Sequence, residues 1–163
     1  MTTAPSIILD CDPGHDDALA IIVAARHTNI LGITTVSGNA PIESTTHNAL
    51  VMKDLLGLKV PVHQGAVRPI VAEPQYATYV HGESGLDGAD LPAPTSTVDG
   101  DDAVGFIIDT VRANEGAWLV PTGPLTNIAM ALRLAPDIAK RIAGISLMGG
   151  GTFGNRTDRK SVV

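Results

Sequence analysis

Four aspartates lie close together near the amino terminus of the sequence. They are Asp10, Asp12, Asp16 and Asp17, and they fall within eight residues of one another. Ionised carboxylates at this spacing repel one another unless a cation or hydrogen-bond donors compensate them. Because carboxylate oxygens are hard ligands and no clustered Cys or His accompanies them, they suit Ca²⁺ or Mg²⁺ rather than Zn²⁺. A simpler alternative is that Asp16 and Asp17 cap a helix while Asp10 ends a strand.

The elements that would position these carboxylates follow from the hydrophobic pattern. Short aliphatic runs predict buried strands, and apolar residues at helical spacing predict helices between them. The predicted strands cover residues 6–10, 31–36, 60–63, 117–121 and 144–148. The predicted helices cover residues 16–26, 42–56, 101–113, 126–134 and 136–142. The buried side of the first helix is expected to comprise Ala18, Leu19, Ile22 and Ala25.

The alternation of strands and helices favours an α/β fold, with an open, doubly wound, mostly parallel sheet and helices on both faces. Ligands of such sheets bind outside the carboxyl ends of the strands. The segments that follow the predicted strands are therefore the candidate site: 10–12, 37–39, 63–64, 122–123 and 148–149. Since Asp16 and Asp17 would point about 100° apart on a helix, one can face a metal ion and the other a substrate hydroxyl.

The length of the chain predicts a single domain over residues 1–163. Residues 65–100 are rich in Pro and Gly and carry no helical or strand pattern, which indicates a mobile active-site loop. Three polar positions have structural interpretations. His15 is expected to fill space near the start of the first helix, His63 to pack or cap, and the Thr126-Asn127 pair to cap the helix after the fourth strand.

Composition and charge argue against several classes of protein. The net charge is −6 with a pI near 5.1, and no basic stripe typical of a nucleic-acid binder precedes the last few residues. The single Cys11 excludes an intramolecular disulfide and a Cys-based zinc cluster. We expect no membrane span, because no run of about 18 apolar residues occurs. With no recognisable secretory signal, a cytoplasmic protein is expected.

The aspartate segment and three later segments together resemble one family. Asp10-Cys-Asp-Pro-Gly-His-Asp-Asp-Ala-Leu-Ala-Ile21 is similar to the signature of the inosine–uridine-type nucleoside hydrolases. The other segments keep the family's order and approximate spacing: Ile33-Thr-Thr-Val-Ser-Gly-Asn39, Thr122-Gly-Pro-Leu-Thr-Asn-Ile-Ala129 and Leu147-Met-Gly-Gly-Gly151. The resemblance runs from residue 8 to about residue 157. It implies the family's Rossmann-like fold, incomplete at the carboxyl terminus.

The resemblance implies hydrolysis of the N-glycosidic bond of ribonucleosides to ribose and free base, with Ca²⁺ as cofactor. It implies that Asp12 is both a calcium ligand and the general base. The other implied metal residues are Asp17, the backbone carbonyl of Thr122 and, in a supporting role through hydrogen bonds, Asp10. Substrate contacts are implied for Asp16, Asn39, His81, Met148 and Asn155. Family members also suggest a homo-oligomer, either a dimer or a tetramer.

The resemblance weakens at the carboxyl end. Residues 156–163 form a basic, divergent tail, in which Ser161 and Val163 stand roughly where the family has a ribose-binding Glu and Asn. A later His-Asp pair of the family also has no counterpart. If residue 163 is the genuine terminus, we expect weak activity or none, and an apolar edge or face left uncovered by the strands that would follow.

Two alternatives remain open at this stage. Asp10 and Asp12 superficially match the nucleophile and acid pair of a haloacid dehalogenase-type, Mg²⁺-dependent phosphatase. That hypothesis leaves Asp16, Asp17 and the segment 37–39 unexplained. The second alternative is a non-catalytic remnant that binds metal or nucleoside, or packs against a longer partner.

Overall fold

The structure is a computed structural model that describes residues 4–149. Its five strands form one parallel sheet in the order β3-β2-β1-β4-β5. Their bounds are β1 Ser6–Cys11, β2 Asn29–Thr35, β3 Val62–Gln64, β4 Trp118–Pro121 and β5 Gly144–Ile145. The four strand pairings are all parallel, which confirms the predicted doubly wound α/β fold.

Helices connect the strands and cover both faces of the sheet. They are α1 His15–His27, α2 Ile42–Leu55, α3 Thr78–His81, α4 Ala103–Ala113, α5 Thr126–Leu134 and a 3₁₀ helix at Pro136–Lys140. Neighbouring residues of β1 point to opposite faces, as the two-residue period of a strand requires. Leu9 packs in a core with residues of α1 and α2. Ile8 packs in a second core with residues of α4 and α5.

The largest difference from the predicted elements is the buried side of α1. The buried residues are Asp17, Ile21 and Ala24, whereas Leu19 is 65% exposed. The other residues predicted on this side, Ala18, Ile22 and Ala25, are partly buried and pack against the core. Because α1 is apolar on nearly every side, its periodicity could not show that Leu19 lies outside the buried side. The prediction that Leu19 is buried was therefore wrong.

Leu19 instead lines an open apolar groove beside β4. The groove is formed by residues of β1, α1 and β4, among them Ile7, Leu19, Val23, Trp118 and Val120. Val23 is 58% exposed and Trp118 is 37% exposed.

Two further segments differ from prediction in extent. The predicted strand at 144–148 is regular only over Gly144–Ile145. Backbone hydrogen bonds nevertheless keep the chain beside β4, from Ser146 N–H to the Leu119 carbonyl (2.9 Å) and from Met148 N–H to the Pro121 carbonyl (3.0 Å). Residues 65–100 carry α3, one helical turn that the sequence pattern did not predict.

Within residues 4–149, no helix is long and apolar enough to cross a membrane.

Candidate active site

Asp10 anchors the site from the carboxyl end of β1. It lies in register with Thr34 on β2 and with Pro121 on β4, and its side chain is fully buried. One carboxylate oxygen, Oδ1, accepts hydrogen bonds from Thr34 Oγ1 (2.6 Å) and from Asn127 Nδ2 (2.8 Å). The other, Oδ2, has no hydrogen-bond partner among the described residues. Burial raises the pKa of Asp10 to about 6, against the lowering effect of the bonds from Asn127 and Thr34.

Asp12 lies just beyond β1 and is also fully buried. Its Oδ2 accepts a hydrogen bond from the backbone N–H of Asn39 (2.7 Å), the residue that follows β2 by four positions. Two glycines allow the backbone to approach this carboxylate closely. A Cβ added at Gly123 would stand 2.8 Å from Asp12 Oδ1, and one at Gly38 would overlap the same side chain. The end of β1 and the turns after β2 and β4 therefore converge on Asp12.

The side chain of Asn39 joins Asp12 to Asp17. Its Nδ2 donates to the Asp12 carbonyl (2.9 Å) and to Asp17 Oδ2 (3.1 Å). Asp17 Oδ2 also accepts from the backbone N–H of Gly14 (3.2 Å), so the helix-capping interpretation holds for this oxygen. Asp17 is 1% exposed. Two buried carboxylates are thus held together at the start of α1.

Asp16 and Asp17 face different surroundings, as the helical offset of adjacent residues predicts. The side chain of Asp16 is 49% exposed, and its Oδ1 lies 3.9 Å from Nε2 of His81. His81 belongs to α3, and its ring is almost completely buried. The segment that carries it is tied to the site by a backbone hydrogen bond from Ala77 N–H to the Asn39 carbonyl (3.1 Å). The structure therefore brings Asp16 and His81 together at the edge of the acidic cluster.

Thr122 and Met148 flank the site on the β4 side. The backbone N–H of Thr122 donates to the Asp10 carbonyl (2.8 Å), which fixes the turn after β4 beside the end of β1. The side chain of Met148 is 41% exposed. The roles expected for these residues stay predictions, and Asn155 lies outside the described residues.

A small cavity of about 60 Å³ lies next to Asn39. Its walls include Gly38, Asn39, Pro124 and the chain from Ala72 to Ala77. Small-molecule sites usually measure from about 300 Å³ upward. The cavity by itself is therefore too small to enclose a nucleoside.

Among residues 4–149, no group of three or more His, Cys, Asp or Glu side chains is arranged to hold a metal ion. One oxygen of Asp10, Oδ1, is engaged by Thr34 and Asn127. What the site offers a hard cation is two buried carboxylates, Asp12 and Asp17, with backbone carbonyls nearby. That donor chemistry fits Ca²⁺ or Mg²⁺ and does not fit Zn²⁺.

Sequence reasoning missed the role of two asparagines. Asn127 was expected to cap α5, but its side chain is fully buried and lies against Asp10. Its Nδ2 also donates to the Thr35 carbonyl (2.9 Å), and its Oδ1 accepts from Ala66 N–H (2.9 Å). Asn48, on α2, donates to the Pro13 carbonyl (3.0 Å) and to the Ser84 carbonyl (2.7 Å). The only signal in the sequence was that each of these amide side chains stands at a position that the helical pattern places in the core, where a polar group needs hydrogen-bond partners.

The raised pKa of Asp10 predicts a pH-dependent stability in the metal-free chain. The ordinary carboxyl pKa is 3.8 and the folded value is about 6, so the folded protein holds the proton more tightly. The resulting stabilisation is complete below about pH 3.8 and is lost as the pH rises through 6, at about 1.4 kcal/mol per unit of pKa difference. Urea unfolding with chelator between pH 4 and 7.5 measures it. In Asp10→Asn the part of the decline in the free energy of unfolding that Asp10 causes should vanish. Identical pH profiles for both proteins would show that Asp10 does not cause it.

Comparison with known proteins places the chain in a family. Residues 7–161 match the model of the inosine-uridine preferring nucleoside hydrolases. The pyrimidine-specific ribonucleoside hydrolase RihB of Escherichia coli K12 is 48% identical over 147 residues, which cover 88% of this chain and 47% of that protein. The chain therefore belongs to the inosine-uridine preferring nucleoside hydrolase family.

Solved structures agree with this assignment. A purine-preferring ribonucleoside hydrolase from Gardnerella vaginalis superposes with a TM-score of 0.82 at 36% identity, over 90% of this chain and 49% of that one. An inosine-guanosine nucleoside hydrolase superposes with a TM-score of 0.82 at 30% identity, over 93% of this chain and 52% of that one. The chain spans about half the length of the relatives it matches.

Proposed function

We propose that this chain contributes to hydrolysis of the N-glycosidic bond of ribonucleosides, with Asp12 as general base and Ca²⁺ as the metal. The observation that carries the proposal is the buried pairing of Asp12 and Asp17 through Asn39, at the carboxyl ends of β1 and β2. Ligands of parallel sheets bind at this edge. The family assignment supplies the class of reaction.

The residues of the site have distinct tasks in this proposal. Asp12 and Asp17, with the Thr122 carbonyl, would hold the cation, which positions the attacking water and lowers its pKa. Asp12, fixed by the Asn39 backbone N–H, would take the proton from that water. Asp10 would keep the strand ends in place through Thr34 and Asn127. Two carboxylates and a carbonyl leave several of the roughly 6–8 calcium positions to water or to substrate hydroxyls.

The expected ribose contacts differ in how accessible they are. Asp16 is half exposed and can accept a hydrogen bond from a sugar hydroxyl. Asn39 borders the small cavity, although its Nδ2 already donates to Asp12 and Asp17. His81 and Met148 would approach the sugar or the base from the two sides of the site. Asn155, outside the described residues, is retained as a ribose contact from the family resemblance.

A direct assay tests the proposal. The 163-residue chain is incubated with Ca²⁺ and with uridine, cytidine or inosine, and release of free base is measured. Pyrimidine ribonucleosides are the first substrates to test, because the 48% identical relative is named as pyrimidine-specific. Base release that requires Ca²⁺ would support the proposal. Release of phosphate from a phosphomonoester, without base release, would favour the phosphatase alternative.

The non-catalytic alternative is a remnant that binds metal or nucleoside, or packs against a longer partner. Calorimetric titration with Ca²⁺, followed by a ribose-like inhibitor, separates the two hypotheses. Binding of both together with base release supports the enzyme. Binding without base release supports a remnant that recognises metal or nucleoside.

Assembly and location complete the proposal. A dimer or tetramer is proposed from the family resemblance alone, and a cytoplasmic location remains an expectation drawn from the sequence. Light scattering of the purified chain measures the assembly. A mass corresponding to 16.8 kDa at all concentrations would exclude a homo-oligomer.

A further inference from the structure

We propose that His15 is a positioning residue, whose ring orients His81 and fixes its tautomer, and thereby holds the chain from His81 to Asp87 over the acidic cluster. The role of His81 toward a substrate rests on the proposed function, whereas the contacts of His15 lie within the chain and involve no substrate. His15 is the first residue of α1 and is exposed to solvent. The expectation that it fills space near the helix start was therefore wrong.

The ring of His15 bridges two points of the segment that covers the site. Its Nε2 lies 3.0 Å from the backbone carbonyl oxygen of Asp87. Its Nδ1 lies 3.2 Å from Nδ1 of His81, and the two ring centroids are 5.4 Å apart. One side chain thus spans from one end of the 81–87 turn to the other. The turn is reinforced from within, because the carboxylate of Asp87 accepts from the backbone N–H groups of Glu83 (2.9 Å) and Ser84 (3.2 Å).

These contacts determine where the ring protons lie when both imidazoles are neutral. A carbonyl oxygen can only accept, so Nε2 of His15 carries a hydrogen and donates to Asp87. Nδ1 of His15 is then an acceptor, and the hydrogen bond between the rings must come from Nδ1–H of His81. This assignment keeps the two shorter contacts, at 3.0 and 3.2 Å. It gives up the longest of the three, the 3.4 Å hydrogen bond from the His15 backbone N–H to His81 Nδ1.

The consequence for the site concerns the opposite nitrogen of His81. With the proton on Nδ1, Nε2 keeps a lone pair and becomes a hydrogen-bond acceptor at the edge of the site, 3.9 Å from Asp16 Oδ1. A ribose hydroxyl or a base N–H entering beside Asp16 could donate to it. His15 therefore selects which hydrogen-bonding group His81 presents to the ligand.

The backbone around His15 is shaped for this arrangement. A Cβ added at Gly14 would stand 2.8 Å from His81 Nδ1, so a larger residue at position 14 would displace the His81 ring. On its inner side the same segment is tied by Asn48, which joins the Pro13 carbonyl to the Ser84 carbonyl. His15 therefore holds the segment on its outer side, and Asn48 holds it on its inner side. Replacing His15 should loosen the segment without unfolding α1.

Nitrogen-15 NMR of the histidine rings tests the proposal without substrate or metal. The spectra are recorded at a pH at which both imidazoles are neutral, because the two ring nitrogens then report the tautomer. The wild-type chain should show His81 with its proton on Nδ1. In His15→Phe, which keeps a ring but no nitrogen, His81 should shift toward the Nε2–H form that free histidine prefers. Amide exchange between residues 81 and 87 should also accelerate by about tenfold, as expected for the loss of one or two modest hydrogen bonds.

The matched control is His27→Phe, the same replacement at an exposed position in the last turn of α1. It should leave the tautomer of His81 and the exchange of residues 81–87 unchanged. A wild-type His81 protonated on Nε2, or unchanged exchange in His15→Phe, would overturn the inference. Because neither readout needs turnover, a chain that releases no base but shows the expected tautomer would count against the proposed function alone.

Discussion

The substitution Asp12→Asn is expected to remove both calcium binding and base release. Asn has nearly the same shape as Asp but no charge, and it offers only one carboxyl-like oxygen. In the folded chain that oxygen would be taken by the Asn39 backbone N–H, which now donates to Oδ2 (2.7 Å). Neither a negative ligand nor a proton acceptor would remain at this position. For loss of a general base we expect kcat to fall by about 10²–10⁴-fold.

Two measurements on the purified chain check this expectation. Release of base from uridine gives the change in kcat, and calorimetric titration with Ca²⁺ gives the change in affinity. Asp109→Asn is the matched control, because Asp109 is an exposed carboxylate on α4 and is not one of the four clustered aspartates. It should retain both properties. Unchanged calcium affinity in Asp12→Asn would show that Asp12 is not a ligand, even if base release were lost.

Much of the fold could be predicted because it depends on local pattern. The aliphatic runs around Leu9, Ile33 and Leu119 could be recognised as strands since buried parallel strands are apolar on both faces. The carboxyl ends of those strands then placed Asp12 and Asn39 at one edge of the sheet, and the structure joins them by a 2.7 Å hydrogen bond. Extended pairing made β2 begin earlier than predicted, because Asn29 N–H donates to the Pro5 carbonyl (2.9 Å).

The parts that could not be predicted depend on contacts between distant residues. Asn127 lies 117 positions from Asp10 along the chain, and nothing in its local sequence indicates that its amide turns inward. The contact between His15 and His81 spans 66 positions and depends on the path of a segment without periodicity. The exposure of Leu19 on α1 could not be deduced for a similar reason. A helix that is apolar on most sides takes its orientation from its neighbours.

Asn127→Leu should cost more stability than any other single change at the site. Leu has a similar volume but cannot hydrogen-bond. Three groups would each lose one hydrogen bond: Asp10 Oδ1, which would keep only Thr34, the buried Thr35 carbonyl and the partly buried Ala66 N–H. Each buried polar group left without a partner costs about 1–3 kcal/mol. We therefore expect the free energy of unfolding to fall by about 3 kcal/mol or more.

Urea denaturation measures this loss, with the slope of the transition compared between proteins to confirm that the folded state is similar. Asn114→Leu is the control, because Asn114 makes one partly buried hydrogen bond, from Nδ2 to the Thr110 carbonyl (2.8 Å). It should cost about 1 kcal/mol. Since Asn127 also restrains the carboxylate of Asp10, its loss should weaken calcium binding in any molecules that remain folded. Equal destabilisation by the two substitutions would show that the Asn127 amide does not link β1, β2 and α5. Thr34 alone would then support the carboxylate of Asp10.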